Sequence, residues 1–196
     1  MIKLQLRLKP IIKRQNMITI NNSLITGIDI QQKLVNMLDC GLDIQNNSAK
    51  LLKAASILNI KTLLTEQYPK GLGETVDEIK KIAPFKTIEK TTFSACQTKE
   101  FQDEINNLDK NIKNIIIFGI ETHICVYQTA LDLLKSGFSV YVVFDCTSSR
   151  KELNKNTALE LMKQQGIKVT TLEILLFEFL KSSKHEHFKE IQALIK

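Results

Sequence analysis

The stretch IIIFGIETHICVYQTALDLL, from Ile115 to Leu134, places a cysteine where a thiol has chemical use. Ile115 to Phe118 form the unbroken apolar run of a strand covered on both faces, and Gly119 ends it. Val126, Thr129, Ala130, Leu133 and Leu134 then recur at helical spacing, so a helix begins within a residue or two of Cys125. Unpaired N–H groups and the positive end of a helix favour the thiolate, which is the nucleophilic form. The position alone is equally compatible with a small buried hydrophobe. The choice falls to the residues that other elements bring to the same place.

Those elements alternate. SLITGID reads as a first strand, followed by amphipathic QQKLVNML and a longer helix through NSAKLLKAASILN. IKTLLTE is a second strand, and QYPKGLGET a loop that Pro69, Gly71 and Gly73 turn sharply. A short helix in VDEIKKI, a third strand or extended segment in FKTIEK and a helix in SACQTKEFQDEINNL follow. After the Cys125 helix come strand SVYVVFD, helix LNKNTALELMKQQ, strand IKVTTL and C-terminal helices. Strands alternating with helices imply an α/β layer sandwich with a mostly parallel sheet. Ligands in such sheets bind beyond the carboxyl ends of the strands. Asp29, Thr65 to Gln67, Lys90, Cys125 and Asp145 stand at those ends, so a carboxylate, an ammonium and a thiol converge on one rim.

Composition bounds the rest. A chain of 196 residues fits one domain with a sizeable core. The apolar fraction of 43% and charged fraction of 24% are ordinary for a globular protein, and no apolar run reaches the ~20 residues of a membrane helix. The net charge of +6 is concentrated at the start, in Lys3, Arg7, Lys9, Lys13 and Arg14. Removing these five takes the 27 basic residues to 22 against 21 acidic ones, a balance of +1. Such a body offers phosphate backbones no net attraction, and without tryptophan or basic–aromatic interleaving it lacks a stacking platform. No nucleic-acid or membrane partner is expected. Cys40, Cys96, Cys125 and Cys146 form no CxxC pair, and without a secretory signal reduced thiols in a cytoplasmic protein are the default. Residues 1–16, basic and acid-free, are expected to be an extension that is disordered or a start-site artefact, ahead of one domain over 17–196.

The ordered motifs resemble the isochorismatase-like cysteine hydrolase superfamily, and within it the branch of isochorismatase domain-containing proteins. GIDIQ resembles the first strand with its Asp-x-Gln, TEQYPKGLGETV a loop of this branch, and EKTTFS the segment carrying the family lysine. GIETHICVYQTALDLL resembles the nucleophile segment, while VVFDCTSSR and HFKEIQALIK also look like this branch. The resemblance implies a Rossmann-like three-layer α/β/α sandwich whose six-stranded sheet has the order 3-2-1-4-5-6.

It also implies a catalytic triad of Asp29, Lys90 and Cys125, with the N–H groups of Glu121 and Cys125 as an oxyanion hole and a cis bond between Ile120 and Glu121. A thiol has an unperturbed pKa of about 8.5, so Lys90 and the helix terminus would favour its ionisation. Asp29 would take the thiol proton and later activate water. Gln67, Tyr68, Phe93 and His123 are the expected pocket walls. The implied function is metal-independent hydrolysis of a small amide, ester or related C–N or C–O bond, with no cofactor and in a homo-oligomer. Nicotinamidase-type metal binding is not expected, because TEQYPKGLGET carries no histidine. His185 and His187 are read as solvated. The alternatives are a non-catalytic binding protein on the same fold, or a redox sensor using Cys125. No role is assigned to Ser148, Ser149 or Arg150.

Overall fold

The computed structural model of the protein describes residues 17–196; the basic extension over 1–16, and the expectation attached to it, lie outside the described residues. The chain runs through β1 (Ser23–Ile28), α1 (Gln32–Val35), α2 (Gly41–Ile57), β2 (Thr62–Gln67), α3 (Pro69–Leu72), α4 (Asp77–Lys80) and β3 (Lys86–Lys90). It continues through α5 (Lys99–Asn106), β4 (Asn114–Ile120), α6 (Tyr127–Lys135), β5 (Ser139–Ser148), α7 (Glu152–Gln164), β6 (Lys168–Thr170), α8 (Leu172–Leu180) and α9 (Phe188–Ile195).

The six strands form one sheet in the order β3-β2-β1-β4-β5-β6, and every pairing is parallel. The implied order is the observed one. Successive side chains on a strand point to opposite faces, and both faces here are apolar. Ile116, Phe118 and Ile25 pack with Leu51 and Leu52 of α2, Leu175 and Phe179 of α8, and Ile191 of α9. Ile115, Ile117 and Leu24 pack with Phe101 of α5, Ala130 and Leu133 of α6, and Leu159 and Met162 of α7. Burial on both faces is why the strands read as continuous Ile and Leu runs rather than alternating ones.

β1 lies between β2 and β4, so the chain leaves β1 toward one edge of the sheet and returns through β4 toward the other. This is the switch point at which open α/β sheets leave a crevice. Asp29 directly follows β1, and Cys125 lies just beyond β4. The two strands approach closely there. Gly119 has φ +123°, and a Cβ on it would collide with the carbonyl oxygen of Ile28.

Several elements differ from the sequence reading, among them the short helix α3 inside the QYPKGLGET segment read as a loop. α2 starts at Gly41, six residues before the NSAKLL run that signals it. α6 starts at Tyr127, after a separate π-helical turn over Thr122–Val126 that contains Cys125. β5 continues past Asp145 to Ser148, pairing Thr147 with Gly119 and Ser148 with Ile120 beyond a register shift. Asp145 is therefore not at the rim. Its Oδ1 accepts the Leu172 N–H at 2.8 Å, at the start of α8.

Candidate active site

Asp29 is the residue from which the site is built. Its backbone is left-handed, φ 52°, a conformation Asp tolerates better than most residues. The Asp29 N–H donates to the Thr65 carbonyl at 3.1 Å. Thr65 Oγ1 donates to Asp29 Oδ1 at 2.7 Å, and Lys90 Nζ donates to Asp29 Oδ2 at 2.7 Å. Lys90 ends β3 on the same buried face as Ile88, which sends its long side chain inward rather than to solvent. Its ammonium also donates to Gln67 Oε1 at 2.7 Å and to the carbonyls of Phe93 at 3.2 Å and Thr92 at 3.3 Å. Neither charged side chain is exposed, and each meets partners that make such burial tolerable.

Cys125 completes the group. Its residue is 6% exposed, and Sγ lies 4.0 Å from Gln67 Oε1. Burial pushes the thiol up to about 12; the Asp29 charge adds to the rise, while the Lys90 charge pulls the other way. The resting sulfur therefore carries its proton. This corrects the expectation that Lys90 and the helix terminus hold a thiolate. The largest cause is burial of the thiol, and Lys90, engaged 2.7 Å from Asp29, meets it as part of an ion pair rather than as a free cation.

The expected pocket residues divide. Gln67 stands between Lys90 and Cys125, and its Nε2 donates to the Thr91 carbonyl at 2.8 Å. Tyr68 and Lys90 share the wall of a cavity of about 500 Å³ with Pro69, Lys70, Thr92 and Gln97. This cavity meets the group of Asp29, Lys90 and Cys125 at Lys90, and Cys125 is not on its wall. The Phe93 ring is largely exposed, and only its carbonyl reaches the site. His123 turns away, with Nδ1 2.9 Å from Ser149 Oγ and the ring facing a separate cavity of about 210 Å³ beside Tyr127 and Leu161. The Ile120–Glu121 bond is cis. The Glu121 carbonyl accepts the N–H groups of Ile124 at 3.0 Å and Val126 at 3.3 Å, on either side of Cys125.

Two contributors were given no role in the sequence reading. Gln31 is fully buried, and its amide clamps the Gln67 backbone: Nε2 donates to the Gln67 carbonyl at 3.0 Å, and Oε1 accepts the Gln67 N–H at 2.8 Å. The polar residues at and just past the end of β5 are the other, since Thr147, Ser149 and Arg150 all bond to the segment between Gly119 and His123. The available signals were the two-residue spacing of Asp29 and Gln31, and the CTSSR run after an apolar strand. Among the described residues no group of three or more His, Cys, Asp and Glu side chains gathers as a metal site.

Comparison with known proteins gives a consistent picture. The isochorismatase domain model matches residues 23–174. Isochorismatase family protein 1A of Dictyostelium discoideum is 39% identical over 178 residues, covering 89% of this chain and 86% of that protein. A solved structure described as the MAR1 ribonuclease of Caenorhabditis elegans is 39% identical, with a TM-score of 0.85 and 91% of each chain covered. The Escherichia coli YcaC gene product, described as an octameric hydrolase of unknown specificity, has a TM-score of 0.82 at 23% identity, covering 96% of this chain and 97% of its own. With a six-stranded parallel sheet in the implied order and a domain match across most of its length, this chain belongs to the isochorismatase domain family.

Proposed function

We propose that this protein is a cysteine hydrolase of a small amide, ester or related C–N or C–O bond, with Cys125 as nucleophile, Asp29 as proton carrier and Lys90 as electrostatic partner. The observation that carries this reading is the convergence of the three side chains in one buried group at the sheet's switch point. A thiol at about 12 beside a carboxylate loses its proton as it attacks rather than beforehand. The sulfur bonds to the substrate carbonyl carbon, the S–H proton passes to Asp29, and the carbonyl π electrons move onto oxygen. The N–H groups of Cys125 and Glu121 face that oxygen. Collapse expels the amine or alcohol, which takes the proton from Asp29 and leaves an S-acyl enzyme. Water then attacks the thioester, Asp29 accepts its proton, and the acid departs as the proton returns to sulfur. Lys90, 2.7 Å from Asp29, offsets the charge on the attacking sulfur. No step calls on a metal or cofactor.

The raised thiol disfavours the redox-sensor reading, because sensor cysteines are thiolates open to solvent. The exposed Tyr68 and Phe93 beside the site fit coverage by a second copy, which supports a homo-oligomer. The near-neutral charge of the chain after residue 16 supports a small-molecule substrate rather than the RNA that the name of the Caenorhabditis relative suggests. The test is hydrolysis of a panel of small amides and esters, with a parallel incubation on RNA. Turnover of a panel member that Cys125→Ala abolishes supports the proposal. RNA cleavage that persists in purified protein and is lost in Asp29→Asn, with no panel turnover, would replace it.

A further inference from the structure

We infer that the end of β5 is a positioning latch for the oxyanion turn, with Arg150 and Thr147 as its working residues; this rests on the hydrolase reading above. Four consecutive β5-end residues lie opposite the turn, and three of them bond to it. Thr147 Oγ1 donates to the Gly119 carbonyl at 2.7 Å and meets Thr122 Oγ1 at 3.2 Å. Ser149 Oγ lies 2.9 Å from His123 Nδ1, whose other ring nitrogen lies 3.4 Å from Asn154 Nδ2. Arg150 binds Glu121 Oε1 twice, through its backbone N–H and its Nε, each at 2.9 Å. Every side chain from Glu121 to His123 is thereby tied to β5 or the residues just past it. Ser148 instead bonds to Cys40, at 3.2 Å.

The Glu121 side chain is 7% exposed and the Arg150 side chain 53%. A buried carboxylate held by a partly exposed guanidinium is poorly explained as surface stabilisation, since an exposed pair contributes ~0–1 kcal/mol. The same contact has an evident use at the turn. It fixes the residue whose N–H faces the developing oxyanion, without touching substrate, Cys125, Asp29 or Lys90. An oxyanion hole depends on donors already in place before charge develops. Arg150 and Thr147 are thus positioning residues, acting through Glu121, Gly119 and Thr122.

Acylation and alkylation of the same sulfur separate this role from a merely structural one. Reaction of Cys125 with p-nitrophenyl acetate passes through an oxyanion, whereas displacement of iodide from iodoacetamide does not. Arg150→Met and Thr147→Val should each slow the acylation burst about tenfold, part of the ~10²–10³ lost when a whole oxyanion donor is removed. Alkylation of Cys125 at the same pH should stay within twofold, and Arg150→Lys should recover part of the burst rate. Arg150→Met still leaves the backbone N–H of residue 150 donating to Glu121 Oε1 at 2.9 Å, and Thr147→Val tests the latch without unpairing that buried carboxylate. Unchanged acylation in both variants, or alkylation falling in step with acylation, would overturn the latch. Absence of a Cys125 acyl adduct in the unaltered protein would overturn the hydrolase reading and the latch together, and is distinguished by being seen before any β5 substitution.

Discussion

The Lys90 ammonium lies 2.7 Å from the Asp29 carboxylate, and neither side chain is exposed. Removing one partner leaves the other as an uncompensated buried charge, which typically costs ~3–5 kcal/mol, whereas replacing both is far milder. Lys90→Met should therefore destabilise the fold strongly, and Asp29→Asn/Lys90→Met should recover much of the loss. Chemical denaturation of the set measures the coupling. Additive losses would mean that the two groups do not depend on each other.

Burial sets the state of the thiol, and the same pair adjusts it from both sides. With Cys125 pushed up to about 12, its alkylation rate should keep rising about tenfold per pH unit from pH 7 to 10, without the levelling near 9 of an ordinary thiol. Asp29→Asn removes a charge that raises the thiol and should move the profile to lower pH; Lys90→Met should move it to higher pH. Peptide-resolved alkylation across the pH range reads all three. A plateau by pH 7 in the unaltered protein would mean that Lys90 prevails and a thiolate pre-exists.

Two buried thiols and a partly buried one make the fold sensitive to alkali. Burial raises Cys96 and Cys125 to about 12 and Cys146 well above its ordinary value. A thiol raised in the folded state stays protonated where the unfolded chain has lost the proton. Between about pH 9 and 12 the native state therefore binds more protons, and stability falls as pH rises, by ~1.4 kcal/mol per unit for each fully shifted thiol. Denaturation at pH 8, 9 and 10 should show the decline, shallower in Cys146→Ala. An identical slope in that variant would refute the assignment for Cys146.

Metal removal should leave turnover unchanged, since each proton and charge in the proposed cycle is handled by Asp29, Lys90 and backbone donors. Activity assays before and after chelation and dialysis test this. Loss of activity that one equivalent of zinc or iron restores would contradict it.

The legibility of these features in sequence follows their physics. Apolar runs such as Ile115 to Phe118 mark buried parallel strands, so the alternation of elements and hence the layered fold are readable. Asp29, Lys90 and Cys125 are traceable because strand ends are chemically privileged in this architecture. The thiol's charge state was not readable, because it depends on burial and on which partner Lys90 already holds. Nor was the extension of β5 through Ser148, because the hydroxyls of CTS look like loop residues until Thr147 is seen bonded to Gly119 and Thr122. The start of α2 was hidden because Leu42 is exposed and no side-chain cap precedes Gly41, which leaves no periodic or capping signal. His123 invites pairing with the cysteine two residues on, yet the intervening π-helical turn sends its ring toward Ser149.

The central claim, that Cys125 forms an acyl intermediate, is tested most directly by intact mass spectrometry. The protein is mixed with p-nitrophenyl acetate, quenched in acid within the burst, and mapped by peptide. One acetyl group on Cys125, absent in Cys125→Ala and formed far more slowly in Asp29→Asn, is the result predicted. An adduct spread over Cys40, Cys96 and Cys125 alike, or no adduct on Cys125 while the protein turns the ester over, would contradict it.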